Sequence, residues 1–89
     1  MSTSLVSLSA ARLLRFVRDE YETTLELAPH PDGWQLVSRS GTRFDGTERR
    51  LVDADRAVLV AEMERVARAL AAHGRVLVER REAAEQAAC

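Results

Sequence analysis

Apolar residues near the start of the chain recur at helical spacing. Between Ser7 and Tyr21, the residues Leu13, Leu14, Val17 and Tyr21 fall with Ala10 on one side of a helical wheel, and Arg12, Arg15, Arg18, Asp19 and Glu22 fall on the other. The pattern predicts an amphipathic helix, with Ser7 or Ser9 as N-cap accepting a hydrogen bond from a first-turn amide. Arg15 with Asp19 and Arg18 with Glu22 would be i,i+4 pairs in the weaker orientation, worth ~0.2–0.5 kcal/mol each, and would solubilise the outer face more than stabilise it.

The period then shortens to two. Thr23-Thr24-Leu25-Glu26-Leu27 alternates, placing Leu25 and Leu27 on one face and Glu26 on the other, and Trp34 to Arg39 is again strand-like. Between them Pro29-His30-Pro31-Asp32-Gly33 holds two prolines and an Asp-Gly pair, turn chemistry that predicts a hairpin. From Ser40 to Glu48, Gly41, Gly46 and several polar residues surround a single Phe44, which fits either a loop or the tip of a second hairpin returning through Arg49 to Val52.

Helical spacing returns after Asp53, the expected cap of a helix from about Ala54 to His73. Its stripe is Leu59, Met63, Val66 and Leu70, with Val60 and Ala67 beside it, and Gly74 suits the left-handed position past the last turn. Glu64 and Arg68 form an i,i+4 pair in the favourable order. Val58 lies off the stripe, near Glu62, Arg65 and Ala69, and is the candidate interface residue. Arg75-Val76-Leu77-Val78-Glu79 reads as a strand, with a helix from Val76 onward as the alternative, because Glu, Arg and Ala are strong helix formers. The last residues, 81–89, form an Ala/Glu-rich tail.

These elements predict an α+β fold in residues 1–80: a helix, an antiparallel hairpin of two or three strands, a long helix, and a short final strand or helix. Both helices would cover one sheet face and leave the other bare. A chain of 89 residues supports one small core, for which apolar burial and ordering entropy nearly cancel. A second copy is the natural supplement, so a homodimer is expected.

Composition narrows the classes of function. Hydrophobic residues make up 46% and charged residues 30%, a globular balance without an apolar run of membrane-span length. The formal charge is −1, from 13 basic and 14 acidic side chains, so nothing global draws the chain to nucleic acid or an anionic membrane. All 13 basic residues are Arg, and Lys, Ile and Asn are absent, which is the signature of a GC-rich, bacterial coding sequence rather than selection for phosphate-binding forks. The only cysteine is Cys89, which excludes an intrachain disulfide. With a Ser-rich beginning that lacks a basic region followed by a continuous apolar one, this points to a reducing, cytoplasmic setting.

The inventory for catalysis is thin. His30 and Asp32 could ligate a metal, but no Cys or second His stands at ligand spacing, and the prolines already account for the segment. His73 is explained by its place in the last turn of a helix. No glycine pattern forms a phosphate-cradling loop. Tyr21, Trp34 and Phe44 are expected to anchor the core. No enzyme, cofactor or metal is expected. The reading that fits best is a protein-interaction module, an adaptor, regulator or inhibitor that occupies a partner protein's surface. The alternative is a nucleic-acid-binding regulator using Arg39, Arg43, Arg49 and Arg50, four arginines in a stretch whose only acids are Asp45 and Glu48.

Overall fold

In the computed structural model, which describes residues 12–82, alternation rather than helical spacing governs the beginning of the chain. Arg12–Arg18 is a strand, β1, with Leu14 and Phe16 buried on one face and Leu13, Arg15 and Val17 on the other. The expected first helix is therefore corrected over its described part, and Ser7, Ser9 and Ala10 lie outside the described residues. The decisive residue is Phe16. A helix would have carried it toward Arg12 on the polar side, whereas a strand buries it almost completely, at 3% exposed. Asp19 and Glu20 form the turn closed by the Arg18↔Tyr21 pair, and Asp19 takes φ of 57°, a left-handed conformation that Asp tolerates better than most residues.

The next strands are β2 (Tyr21–His30), β3 (Gly33–Gly41) and β4 (Gly46–Asp53). The expected hairpin joins β2 to β3, but its turn is only Pro31-Asp32, closed by His30↔Gly33. Pro29 belongs to the strand, past the last described β1 pair at Arg12↔Leu27, so its missing N–H breaks no β1–β2 bond seen here. Gly33 is required where it stands: φ is +130°, and a Cβ would come within 2.6 Å of the Ala54 Cα. The second hairpin, one of the two options for residues 40–52, is the one formed. Gly41↔Gly46 closes its loop, where the Thr42 N–H donates to the Asp45 carbonyl at 2.7 Å.

Asp53 and Asp55 then start the helix α1 (Arg56–Ala72). The cap is Asp55, whose carboxylate accepts from the Ala57 N–H, while Asp53 accepts from the Asp55 N–H and fixes the approach. Gly74, at φ +85°, ends it: Gly74 N–H donates to the Ala71 carbonyl and Arg75 N–H to the Leu70 carbonyl, a Schellman closure. The last strand, β5 (Val76–Glu82), resolves the strand-or-helix choice and extends two residues into the expected tail.

Among the described residues the result is a five-stranded antiparallel sheet in the order β4-β3-β2-β1-β5 with one helix, not the two-helix α+β arrangement. The edge strands β4 and β5 run in the same direction, and α1 crosses the sheet between them. Leu59 and Met63 of α1 pack with Leu14, Phe16, Leu25, Leu27 and Leu36, and Val66, Leu70 and Trp34 close the margins. The expected stripe is thus the buried one. Of the expected aromatic anchors, Trp34 reaches the core, with Arg56 5.3 Å above its ring, whereas Phe44 stands at the β3–β4 tip, 86% exposed. No helix among the described residues is long and apolar enough to cross a membrane.

Candidate functional site

The face opposite α1 carries charge in cross-strand rows. One row reads Glu79, Arg15, Thr24, Arg39, Glu48 from β5 to β4, and the next reads Arg81, Leu13, Glu26, Val37, Arg50. Opposite signs therefore meet both along the rows and between them. Arg15 reaches Glu79 at 3.0 Å and Glu22 at 3.1 Å, and Arg81 reaches Glu79 at 2.9 Å. At the other side Arg39 reaches Glu48 at 3.0 Å and Glu26 at 3.6 Å, and Arg50 reaches Glu48 at 3.1 Å. Four guanidinium groups face four carboxylates, and each has a partner on the same face.

The titration of these groups follows the geometry. Hydrogen bonds from Arg50 and then Arg39 hold the Glu48 carboxyl below the usual carboxylate range, and the bond from Arg15 does the same for Glu79. The Arg15 guanidinium is in turn raised above its ordinary value, first by Glu22 and then by Glu79. Val37, between Glu26 and Arg50 in its row, is only 4% exposed on a face with no helix. The bare face expected from the sequence is sealed by its own salt bridges rather than left apolar.

The four arginines of the nucleic-acid reading do not converge. Arg39 and Arg50 belong to the open face and are paired with glutamates. Arg49 points to the side of the sheet that α1 occupies, where its charge helps lower the Glu62 carboxyl, a shift due mainly to the hydrogen bond from Arg65. Arg43 sits at the hairpin tip, 5.8 Å from the Phe44 ring centroid. Beside this tip a concavity of about 880 Å³ opens between Thr24, Arg39, Thr47, Glu48, Arg43 and Phe44. Its lining also includes Glu20, Glu22 and Ser40, and among the described residues no group of three His, Cys, Asp or Glu side chains is arranged to hold a metal ion. His30 accepts from the Asp32 N–H within its turn, and Cys89 lies outside the described residues. A smaller groove of about 200 Å³ runs between α1 and β1, floored by Leu14, Met63 and Ala67.

What remains unoccupied is the rim of the sheet. Seven of the eight residues of β4 are exposed, and its outer backbone groups pair with no described strand. Val58 is half-exposed on the flank of α1 that also carries Glu62. Leu51 and Val52 are exposed on β4 itself, Leu51 on the α1 side of the sheet and Val52 on the opposite side. Sequence reading had found only Val58 of these, because Leu51 and Val52 were in a segment whose path it left open. Arg15, Glu22, Glu26, Glu79 and Arg81 were missed as a set, since their rows exist only once the strands are paired in register. No family model matches the chain, no curated protein matches it, and no solved structure matches it.

Proposed function

We propose that this chain is a non-enzymatic, cytoplasmic protein-interaction module that works as a homodimer, the protein taken up at the rim of its sheet being a second copy of itself. The observation that supports this is the contrast between occupied faces and an open edge: α1 covers one face, paired charges seal the other, and β4 presents seven exposed residues of eight along a strand with unused backbone donors and acceptors. Backbone pairing at such an edge takes up a partner strand without needing a pocket. Light scattering at micromolar concentration tests the dimer and should return close to twice the 9.9 kDa protomer. A monomer at all accessible concentrations overturns it.

The nucleic-acid reading keeps one supporting observation, the exposed Phe44 beside Arg43 at a hairpin tip, a pairing that can stack on an unpaired base and meet its phosphate. Anisotropy titration of labelled single strands at about 50 mM salt decides it: binding that falls steeply with added salt and is lost in Phe44→Ala supports it, and no binding removes it.

A further inference from the structure

We propose that the homodimer forms by antiparallel pairing of β4 with β4 of a second copy, with the two-fold axis passing between the two Arg49 residues and joining the sheets into one of ten strands. The inference rests on the dimer reading above and names its seam.

Of the two edges, β4 is the one suited to pairing. Its ladder with β3 runs without interruption from Gly41↔Gly46 to Trp34↔Asp53, so its outer side is regular along its length. The register of β5 on β1 shifts between Arg15 and Phe16, an irregularity that bends an edge and discourages a further strand.

Charge then selects the register. A continuous sheet requires open-face positions to meet open-face positions, so the axis must pass through a residue and each alternative differs by where it is centred. Centred on Arg49, the pairing spans Gly46 to Val52 and sets Glu48 against the partner's Arg50 on both sides of the axis, with Thr47 against the partner's Leu51. Centred on Glu48 it opposes two carboxylates, and centred on Arg50 it opposes two guanidinium groups with no opposite-charge pair in return. Centred on Leu51 it sets Arg49 against the partner's Asp53, but it spans only Arg49 to Asp53 and is shorter. In the Arg49 register the like pair at the axis lies on the helix side, within the field of Glu62 from each copy. The same arrangement brings Leu51 and Val52, 37% and 44% exposed, under a neighbouring strand and sets the Val58 flank of α1 beside the seam.

Cysteine cross-linking in a Cys89→Ser background tests the register. Arg49→Cys should oxidise to a covalent dimer, because residues at the axis are directly opposed at a distance a disulfide can span. Thr47→Cys alone should not cross-link, whereas Thr47→Cys with Leu51→Cys in one chain should. Arg50→Glu, which opposes carboxylates on both sides of the axis, should weaken the dimer about tenfold while leaving the circular dichroism spectrum native. Cross-linking by Leu51→Cys alone would show a register centred there and overturn the proposal. Absence of cross-linking at Arg49→Cys in a chain that light scattering shows to be dimeric would place the seam elsewhere and leave the dimer standing, whereas a monomeric parent would remove both.

Discussion

The two faces of the sheet solve the same problem by different physics. Under α1, Leu25, Leu27 and Met63 are wholly buried among apolar neighbours, and their stabilisation comes from removing surface from water. On the opposite side the strands carry alternating charge, the heads of Arg15, Arg39, Arg50 and Arg81 pair with glutamates, and Val37, between Glu26 and Arg50 in its row, is left only 4% exposed. One face depends on packing and resists salt. The other depends on many weak, screened contacts and suits a polar surface without a second layer. The difference also explains why an interaction is directed to the edge: neither face offers a large uncovered apolar area.

Truncation in the core should separate the faces most sharply. Leu27→Ala or Met63→Ala should cost about 2–5 kcal/mol, enough to unfold most of so small a protein, with Leu70→Ala costing less because Leu70 is only half-buried at the margin. Urea melts followed by circular dichroism check the order, and an equal loss at Leu70 would show that the core extends further than Met63. Val37→Ala, the buried position of the charged face, should cost about 1–2 kcal/mol, the value of its lost methyl groups. A loss as large as that of Leu27→Ala would mean that the two faces are equally packed.

Acid should act on the carboxylates that arginines hold, Glu48 and Glu79 on the charged face and Glu62 on α1. The Glu48 and Glu79 carboxyls titrate below their unfolded values, so their contribution is fully present above the ordinary glutamate pKa and is lost as pH falls through the lowered folded one. The urea midpoint should therefore begin to fall as pH drops into the ordinary glutamate range and keep falling until the lowered folded values are passed, and Glu48→Gln with Glu79→Gln should shrink that fall to the part left to Glu62. Added salt should lower the parent's midpoint slightly and leave the double variant less affected. The smallest effect belongs to Val58→Ala, half-exposed on the flank of α1, which should change protomer stability by less than about 0.5 kcal/mol. Its influence should be read in the dimer constant instead.

Much of this architecture was legible beforehand because local chemistry and tertiary structure agreed. The alternation of Leu25 and Leu27 with Glu26, the turn residues Pro31 and Asp32, the stripe of Leu59 and Met63, and the stop at Gly74 each have one stable reading. Arg12–Arg18 did not. Its leucines, valine and arginines satisfy a helical wheel as well as a strand, and its turn uses Asp19-Glu20 without a glycine. Phe16 was the dissenting signal, an aromatic on the polar side of that wheel. The charged site was invisible for another reason: Arg15 lies 64 positions from Glu79 in sequence, and no window along the chain contains both.

The sequence by itself determined the alternation of β2, the stripe of α1, the turn at Pro31-Asp32 and the stop at Gly74, because these depend on residues within a few positions of one another. It also determined the charge balance and the absence of a second cysteine to pair with Cys89. Only the tertiary structure decided that β1 is a strand, since a segment compatible with two periods takes the one whose neighbours bury it. Between β2 and β5, with Leu25 and Leu77 beside its own Leu14 and Phe16, that choice is the strand. The same pairing fixed which arginine meets which glutamate, and left β4 and β5 as edges with no described strand beside them.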